Sequence, residues 1–179
     1  MKQYVALFRG INVGGNNILP MAKLRELLTA MGLADVRSYI QSGNVVFRSE
    51  AGQTRAALSS QISAAIERDF GFAPRILLLE RSELEAAMAA NPYPEGEDEP
   101  KSLHLYFLTE PAGSPNLDLL RGQQLENERF TLQDQVFYLH APDGIGRSKL
   151  ATNVDRALGV ATTARNWRTV SKLREMLGE

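Results

Sequence analysis

The sequence contains no cysteine, which excludes thiol catalysis, disulfide bonds and cysteine-ligated metal sites. It also lacks any apolar run of the roughly 18 residues that a transmembrane helix needs, and its first apolar stretch is already broken at Arg9. The formal net charge is −1, so the overall charge identifies neither a nucleic acid nor a membrane as a partner. We therefore expect a cytoplasmic protein with no membrane partner, and we predict neither a cofactor nor a metal ion.

The residues that are present have an ordinary globular composition. The chain has 179 residues, of which 44% are hydrophobic and 23% charged. The charges are unevenly distributed, because seven acidic residues and one basic residue lie at positions 80–99, and seven basic and three acidic residues lie at 147–179. The basic C-terminal segment keeps a nucleic acid or a protein partner open as an alternative to a small ligand.

The pattern of the first half predicts a ferredoxin-like βαββαβ unit. Four successive apolar residues at 76–79 indicate a strand buried on both faces, so we expect the second half to cover this sheet. The predicted elements are a strand at 3–9, a helix from Pro20 to Gly32, strands at 36–41 and 44–49, a helix at about 53–70 and a strand at 74–80.

The second half predicts a related βαββα unit, in which a C-terminal helix capped by Asn166 replaces the last strand. The predicted elements are a helix at 82–90, an acidic linker, a strand from Ser102, a helical piece near 116–122, strands at 128–133 and 135–141, and helices at 148–159 and from 166. The fold class is thus α+β, with the two sheets packed together or covered by helices. The predicted domains are residues 1–81, a helix and acidic linker at 82–101, and residues 102–179, with one compact domain as the alternative; the acidic stretch at 95–99 is expected to be solvated.

Four segments carry a resemblance to a known family: "FRGINVGGNNILPMAKLRELL", "VRSYIQSGNVVF", "FYLHAPDGIGRSKL" and "TARNWRTVSKL". In this order they resemble the bacterial family called domain of unknown function 1697, over almost the whole chain. The resemblance implies an α+β fold made of two ferredoxin-like or related halves. It implies no catalytic residue, substrate or cofactor, so the functional hypotheses come from the residues themselves.

The segment "RGINVGGNN", from Arg9 to Asn17, has the glycine spacing of a phosphate-binding P-loop. Asn16 and Asn17 occupy the positions where that motif needs Lys and then Ser or Thr. One interpretation is a polar or anionic ligand held by backbone N–H groups. The other is a turn in which Gly14 and Gly15 adopt positive φ and the Asn side chains bind the loop backbone.

Three further segments carry functional hypotheses, each beside a structural one. "PDGIGRSKL" at 142–150 leaves a strand and opens a helix beside two basic residues, which suits an anion but also suits a plain capped helix. "QSGNVVF" at 41–47 is similar to base-stacking strands, although its valines favour core packing. "TARNWRTV" at 163–170 is either an aromatic and arginine clamp or a buried helix start.

These segments lead to a binding module for a small anionic or phosphate-containing ligand, with the Gly-rich turns converging near strand ends. Alternatives are a nucleic-acid or protein-interaction adaptor, and an enzyme whose candidate groups are Ser42, Asp143, Ser148 and Lys149. The predicted ligand-binding residues are Arg9, Asn12, Gly14, Gly15, Asn16, Gln41, Ser42, Asn44, Arg147, Ser148, Lys149, Arg165 and Trp167.

Overall fold

The computed structural model describes residues 1–179 and divides them into two compact units. The first unit is Met1–Ala86 together with Lys172–Glu179, and the second is Ala87–Ser171. This grouping differs from the segments expected from the sequence, because the last turns of the C-terminal helix belong to the first unit. None of the helices is both long enough and apolar enough to cross a membrane.

The first unit has the predicted ferredoxin-like order and an antiparallel sheet with strand order β2-β3-β1-β4. Helix α2 begins where the Thr54 side chain accepts a hydrogen bond from the Ala57 N–H, and it ends at Gly71 in the left-handed region. Its elements are β1 (Lys2–Arg9), α1 (Met21–Ala30), β2 (Ala34–Tyr39), β3 (Asn44–Ser49), α2 (Arg55–Phe70), β4 (Arg75–Glu80) and the start of α3 (Arg81–Ala89).

The central strands of this sheet are buried on both faces. In β4, for which the apolar run at 76–79 predicts two buried faces, Ile76 and Leu78 are buried but Leu77 and Leu79 are only half-buried. On one face, Tyr4 and Phe47 pack with residues of α1 and α2 in a single apolar cluster, with ring centroids 5.7 Å apart. These aromatics are therefore core residues and do not offer a base-stacking surface. On the other face, Val5, Leu7 and Val46 are at most 2% exposed.

The end of the C-terminal helix α7 (Trp167–Gly178) contacts this second face. The side chains of Gln3 and Arg81 each donate a hydrogen bond of 3.2 Å to the Leu177 carbonyl oxygen. Arg37 donates to the Met176 carbonyl oxygen and forms an ion pair with Glu179. Because the last carbonyl groups of a helix have no partners within it, these polar side chains complete its C-terminus and fix it to the first unit.

The second unit repeats the topology, with strand order β6-β7-β5-β8 and antiparallel pairing throughout. Its apolar cluster lies between the sheet and α4 to α6, around Tyr106, Phe137 and Leu158. Its elements are a short 3-10 helix (Pro94–Glu97), β5 (Leu103–Leu108), α4 (Leu117–Arg121), β6 (Arg129–Gln133), β7 (Val136–His140), α5 (Lys149–Thr152), α6 (Val154–Leu158), β8 (Thr162–Asn166) and the start of α7.

Two predictions for the second half were wrong. Residues 162–166 form strand β8 against β5, so the unit is a complete βαββαβ and its final strand is not replaced by a helix. The predicted single helix at 148–159 breaks at Asn153. There the Asn153 side chain donates to the Lys149 carbonyl oxygen at 2.9 Å and competes with the helical backbone bond.

The four acidic residues of the stretch at 95–99 are exposed, as expected of a solvated linker, but the residues before them pack on the second sheet. Tyr93 is 8% exposed, and the Tyr93 hydroxyl lies 2.7 Å from the Thr131 hydroxyl on β6. The Ala87 carbonyl oxygen accepts a 2.6 Å hydrogen bond from the buried Tyr138 hydroxyl. Residues 87–97 therefore pack on the face of the second sheet opposite to α4 and α6. In the sequence, Tyr93 between two prolines was the residue that could have indicated packing of this segment.

His104 is a buried titratable group on the core face of β5. It is 9% exposed and its Nδ1 atom has no hydrogen-bond partner. Burial lowers the pKa of His104 to about 4, because the charged imidazolium loses its hydration there.

We expect the stability to fall as the pH drops from about 6.5 to about 4. In that range the unfolded chain binds a proton at His104 and the folded protein does not, so the free energy of unfolding decreases, by as much as about 3 kcal/mol. Urea unfolding across this range should show a weaker pH dependence for His104→Leu than for the wild type. Equal pH dependence in the two proteins would contradict the assignment.

Candidate functional site

The segment from Arg9 to Asn17 forms a small β-hairpin and does not have the conformation of a phosphate-binding P-loop. The Asn16 N–H donates to the Val13 carbonyl oxygen at 3.0 Å, and these two residues form an antiparallel bridge. Gly14 and Gly15 between them have φ of 56° and 77°, as a two-residue type I′ turn requires. In a P-loop the helix begins at the glycine-rich turn, whereas α1 begins only at Met21.

Asn12 holds this hairpin in place with its whole side-chain amide. Its Oδ1 atom accepts from the Leu19 N–H at 2.7 Å, and its Nδ2 atom donates to the carbonyl oxygens of Leu19 at 2.9 Å and Gln41 at 2.8 Å. Since an amide nitrogen has only two hydrogens to donate, Asn12 has none left for a ligand. The same bonds join the hairpin to the turn at 40–43, so these two predicted turns do adjoin.

Gly43 is the residue that allows the backbone conformation of the "QSGN" turn. Its φ is 85°, and a Cβ atom at this position would lie 2.6 Å from Phe8 Cβ and 2.6 Å from Ile11 Cδ1. Only glycine fits there. Asn44 is fully buried beside it and donates to the Tyr39 carbonyl oxygen and the Ser42 hydroxyl, each at 3.0 Å. Ser42, Gly43 and Asn44 therefore each have a structural role in this turn.

The turn at Ser148 provides fewer groups for anion binding than its sequence predicts. Ser148 is 2% exposed, and its hydroxyl oxygen caps α5 by accepting from the Ala151 N–H at 3.1 Å. Helix α5 is a single turn of four residues, so its dipole contributes little to anion binding. Arg147 and Lys149 are exposed, and neither side chain forms an ion pair within the chain.

The side chains of the proposed aromatic and arginine clamp are largely buried. Trp167 is 8% exposed, so its ring is not available for stacking on a ligand. Burial lowers the pKa of the Arg165 guanidinium to about 10, and this group donates to the Ala164 carbonyl oxygen at 2.8 Å. Both residues lie at the junction between β8 and α7.

A cleft of about 630 Å³ lies in the second unit, next to the Gly144 turn. The two cations on its wall, Lys101 and Arg168, form no ion pair and no side-chain hydrogen bond within the chain. The lining residues are Glu99, Pro100, Lys101, Ser102, Pro142, Asp143, Gly144 and Arg168.

Backbone hydrogen bonds hold the three segments of this cleft together. The Ala141 N–H donates to the Ser102 carbonyl oxygen at 2.8 Å, the Gly144 N–H donates to the Ala141 carbonyl oxygen at 2.9 Å, and the Arg168 N–H donates to the Pro100 carbonyl oxygen at 3.4 Å. The loop before β5, the loop after β7 and the start of α7 thus meet at one place. Sequence reasoning missed the cleft because these segments are far apart in the chain; it singled out the Gly144 turn and the segment 163–170 that contains Arg168, but not the loop at 99–102.

A second polar cluster lies at the end of β7, where the Tyr93 ring stacks on the His140 ring with centroids 6.0 Å apart. The Arg129 guanidinium carbon lies 5.2 Å from the Tyr93 centroid, its Nη2 atom lies 3.3 Å from His140 Nδ1, and Arg129 also forms an ion pair with Glu95. A Cβ atom on Gly96 would lie 3.1 Å from His140 Cδ2. His140 is thus covered, and the cluster fixes residues 93–97 to the sheet.

The predicted site residues fall into both units. Arg9, Asn12, Gly14, Gly15, Asn16, Gln41, Ser42 and Asn44 belong to the first unit, and Arg147, Ser148, Lys149, Arg165 and Trp167 belong to the second. Within the first unit the hairpin and the turn at 40–43 come together. That the hairpin and the turn at 40–43 also lie close to the Arg147 turn stays a prediction.

Comparison with known proteins gives a family and a fold. Residues 1–138 match the family described as "Protein of unknown function (DUF1697)". The solved structure of the conserved bacterial protein SP0830 from Streptococcus pneumoniae is similar over 98% of both chains, with 27% sequence identity and a TM-score of 0.72. No curated protein matches the chain.

The close approach at Gly43 predicts a large effect of a single methyl group. Gly43→Ala should lower the free energy of unfolding by about 2–4 kcal/mol, because it combines a positive φ with steric overlap. Gly15→Ala is the matched control, since Gly15 also has a positive φ but nothing lies within 4 Å of its added Cβ. It should cost only about 1–2 kcal/mol. Urea unfolding measures both, and equal losses would contradict the packing argument.

Proposed function

This chain belongs to the family of proteins of unknown function DUF1697, and from that premise we propose that it is a binding protein for a small anionic ligand. The ligand would occupy the cleft between the loop before β5, the Gly144 turn and the start of α7. The observation that carries the proposal is the pair of cations on its wall, Lys101 and Arg168, which have no partner within the chain. The cleft volume of about 630 Å³ lies within the range of small-molecule sites.

The two cations suit a phosphate or a carboxylate group. A guanidinium presents paired N–H donors that match two oxygen atoms of such a group, and an ammonium adds a compact positive charge. The Arg168 N–H donates to the Pro100 carbonyl oxygen, which positions this residue at the cleft. Arg147 and Lys149 are exposed and follow Gly144 closely in sequence, but they do not line the cleft.

The carboxylates of the cleft favour a ligand that also carries hydrogen-bond donors. Glu99 and Asp143 line the same cleft, and the Asn127 side chain donates to Asp143 Oδ2 at 2.5 Å. These carboxylates would repel a ligand that carries only negative charge, and they would accept hydrogen bonds from hydroxyl or amino groups. Pro100 and Pro142 add apolar surface for a ring or carbon skeleton. A phosphorylated or carboxylated small metabolite fits this combination better than a nucleic-acid backbone does.

We expect Arg168→Ala to weaken the binding of such a ligand by roughly tenfold or more, because it removes a charge-assisted contact. Isothermal titration with a panel of sugar phosphates and hydroxy acids measures the loss, and inorganic phosphate should bind more weakly than these compounds because it is repelled by Glu99 and Asp143. Lys101→Ala should act in the same direction, and both effects should shrink at high salt.

Arg156→Ala is the matched control, since Arg156 is also an exposed arginine of the second unit without a partner but does not line the cleft. It should leave the affinity unchanged. A panel in which no compound binds, or in which Arg156→Ala and Arg168→Ala weaken binding equally, would contradict the assignment of the ligand to this cleft.

A further inference from the structure

Three exposed apolar side chains lie in two adjoining loops at one end of the first sheet. Val13 is 63% exposed, Ile18 is 64% exposed and Ile40 is 50% exposed. The hydrogen bond from the Asn12 side chain to the Gln41 carbonyl oxygen holds these loops, 10–20 and 40–43, against one another. Isolated apolar residues are common on protein surfaces, but a group on a rigid pair of loops is typical of an interaction site.

Ile40 is the most informative member of this group. Its φ is 50°, in the left-handed region that a β-branched side chain rarely adopts. Asn12 and Asn17 share this conformation, but asparagine tolerates it. Burial of the Ile40 side chain does not compensate for the strain, since half of it faces solvent. Strained residues of this kind concentrate at binding sites.

The charges beside these loops are positive. Loops 10–20 and 40–43 contain no acidic residue. Arg75 is exposed at the start of β4 and forms no ion pair, and Arg25 of α1 donates to the Ser38 hydroxyl at 2.5 Å without a carboxylate partner. The nearby Glu26 is already paired with Lys23 at 2.9 Å. A partner for this surface should therefore carry negative charge.

We propose that this surface, formed by Val13, Ile18 and Ile40, docks an acidic protein segment that carries apolar side chains. A second copy of the chain suits it poorly, because a twofold contact would bring the same positive groups together. A membrane suits it poorly as well, because the exposed Asn16, Asn17 and Gln41 belong to the same loops and would lose their hydration on insertion. The surface belongs to the first unit and the cleft to the second, so the proposal adds a protein partner to the proposed small ligand.

Selection of short peptides from a random display library by the full-length protein tests this proposal. The enriched peptides should combine Asp or Glu with apolar residues. For a synthesised member of that set, Val13→Asp and Ile18→Asp should each weaken binding by about tenfold, as expected for the loss of an anchor side chain. Leu125→Asp is the matched control, because Leu125 is also an exposed apolar residue, 47% exposed, but lies in the second unit. It should leave binding unchanged.

Several results would overturn the proposal. These are a library without enrichment, an enriched set without excess acidic residues, and equal losses for Leu125→Asp and Val13→Asp. Sedimentation equilibrium that shows a dimer abolished by Val13→Asp would assign the surface to a second copy. Binding to vesicles of phosphatidylcholine and phosphatidylglycerol that Val13→Asp abolishes would assign it to a membrane.

Ile40→Asn separates the docking role from a folding role. Asparagine tolerates the left-handed conformation, so this variant should raise the melting temperature by about 2–4 °C while it weakens binding of the selected peptide. A lower melting temperature would show that Ile40 serves the fold. A higher melting temperature with unchanged peptide binding would also contradict the docking role.

Discussion

Burial of both faces of the central strands of each sheet is the constraint on which the other features of this protein depend. In the first unit, one set of alternate β1 residues packs in the core with α1 and α2, and the residues between them are buried on the opposite face. In the second unit, Tyr106 packs on the helical side, and Leu105 and Tyr138 are buried on the other side. The aromatic residues of these central strands are therefore not exposed for base stacking. We accordingly place the candidate sites in the loops at the strand ends.

The loops at the strand ends divide into two kinds. The hairpin at 10–18 and the turn at 40–43 use glycines and asparagines to shape the backbone, so the side-chain amides of Asn12, Asn17 and Asn44 already donate hydrogen bonds within the chain. The loops around Ser102 and Gly144 are joined by backbone bonds and leave the side chains of Lys101 and Arg168 without partners. The candidate ligand site is distinguished by two cations without ion-pair partners, and not by the spacing of its glycines.

The sequence was sufficient for the architecture because hydrophobic periodicity is a local signal. It located four strands and two helices of the first unit, and Asn166 does cap the last helix by accepting from the Thr169 N–H at 3.0 Å. It missed β8, because four of the five residues of "TTARN" are polar and the strand is recognised only by its pairing with β5. It also missed the break at Asn153, where one side chain competes with a backbone bond.

The site was predicted less well than the fold, for a physical reason. The cleft is assembled from positions 99–102, 142–144 and 168, and their proximity depends on tertiary structure. Motif reasoning pointed to the Gly144 turn but could not identify Lys101 and Arg168 as the unpaired cations. It also gave weight to Ser148 and Trp167, whose burial reflects capping and packing.

The central claim is that an anionic ligand binds at the strand-end cleft of the second unit. An amide chemical-shift titration of the full-length protein with the sugar phosphates and hydroxy acids of the panel tests this most directly. We expect the largest changes at residues 99–102, 142–144 and 168, and we expect them to diminish with added salt. Changes confined to the hairpin at 10–17, or no saturable change at any residue, would contradict it.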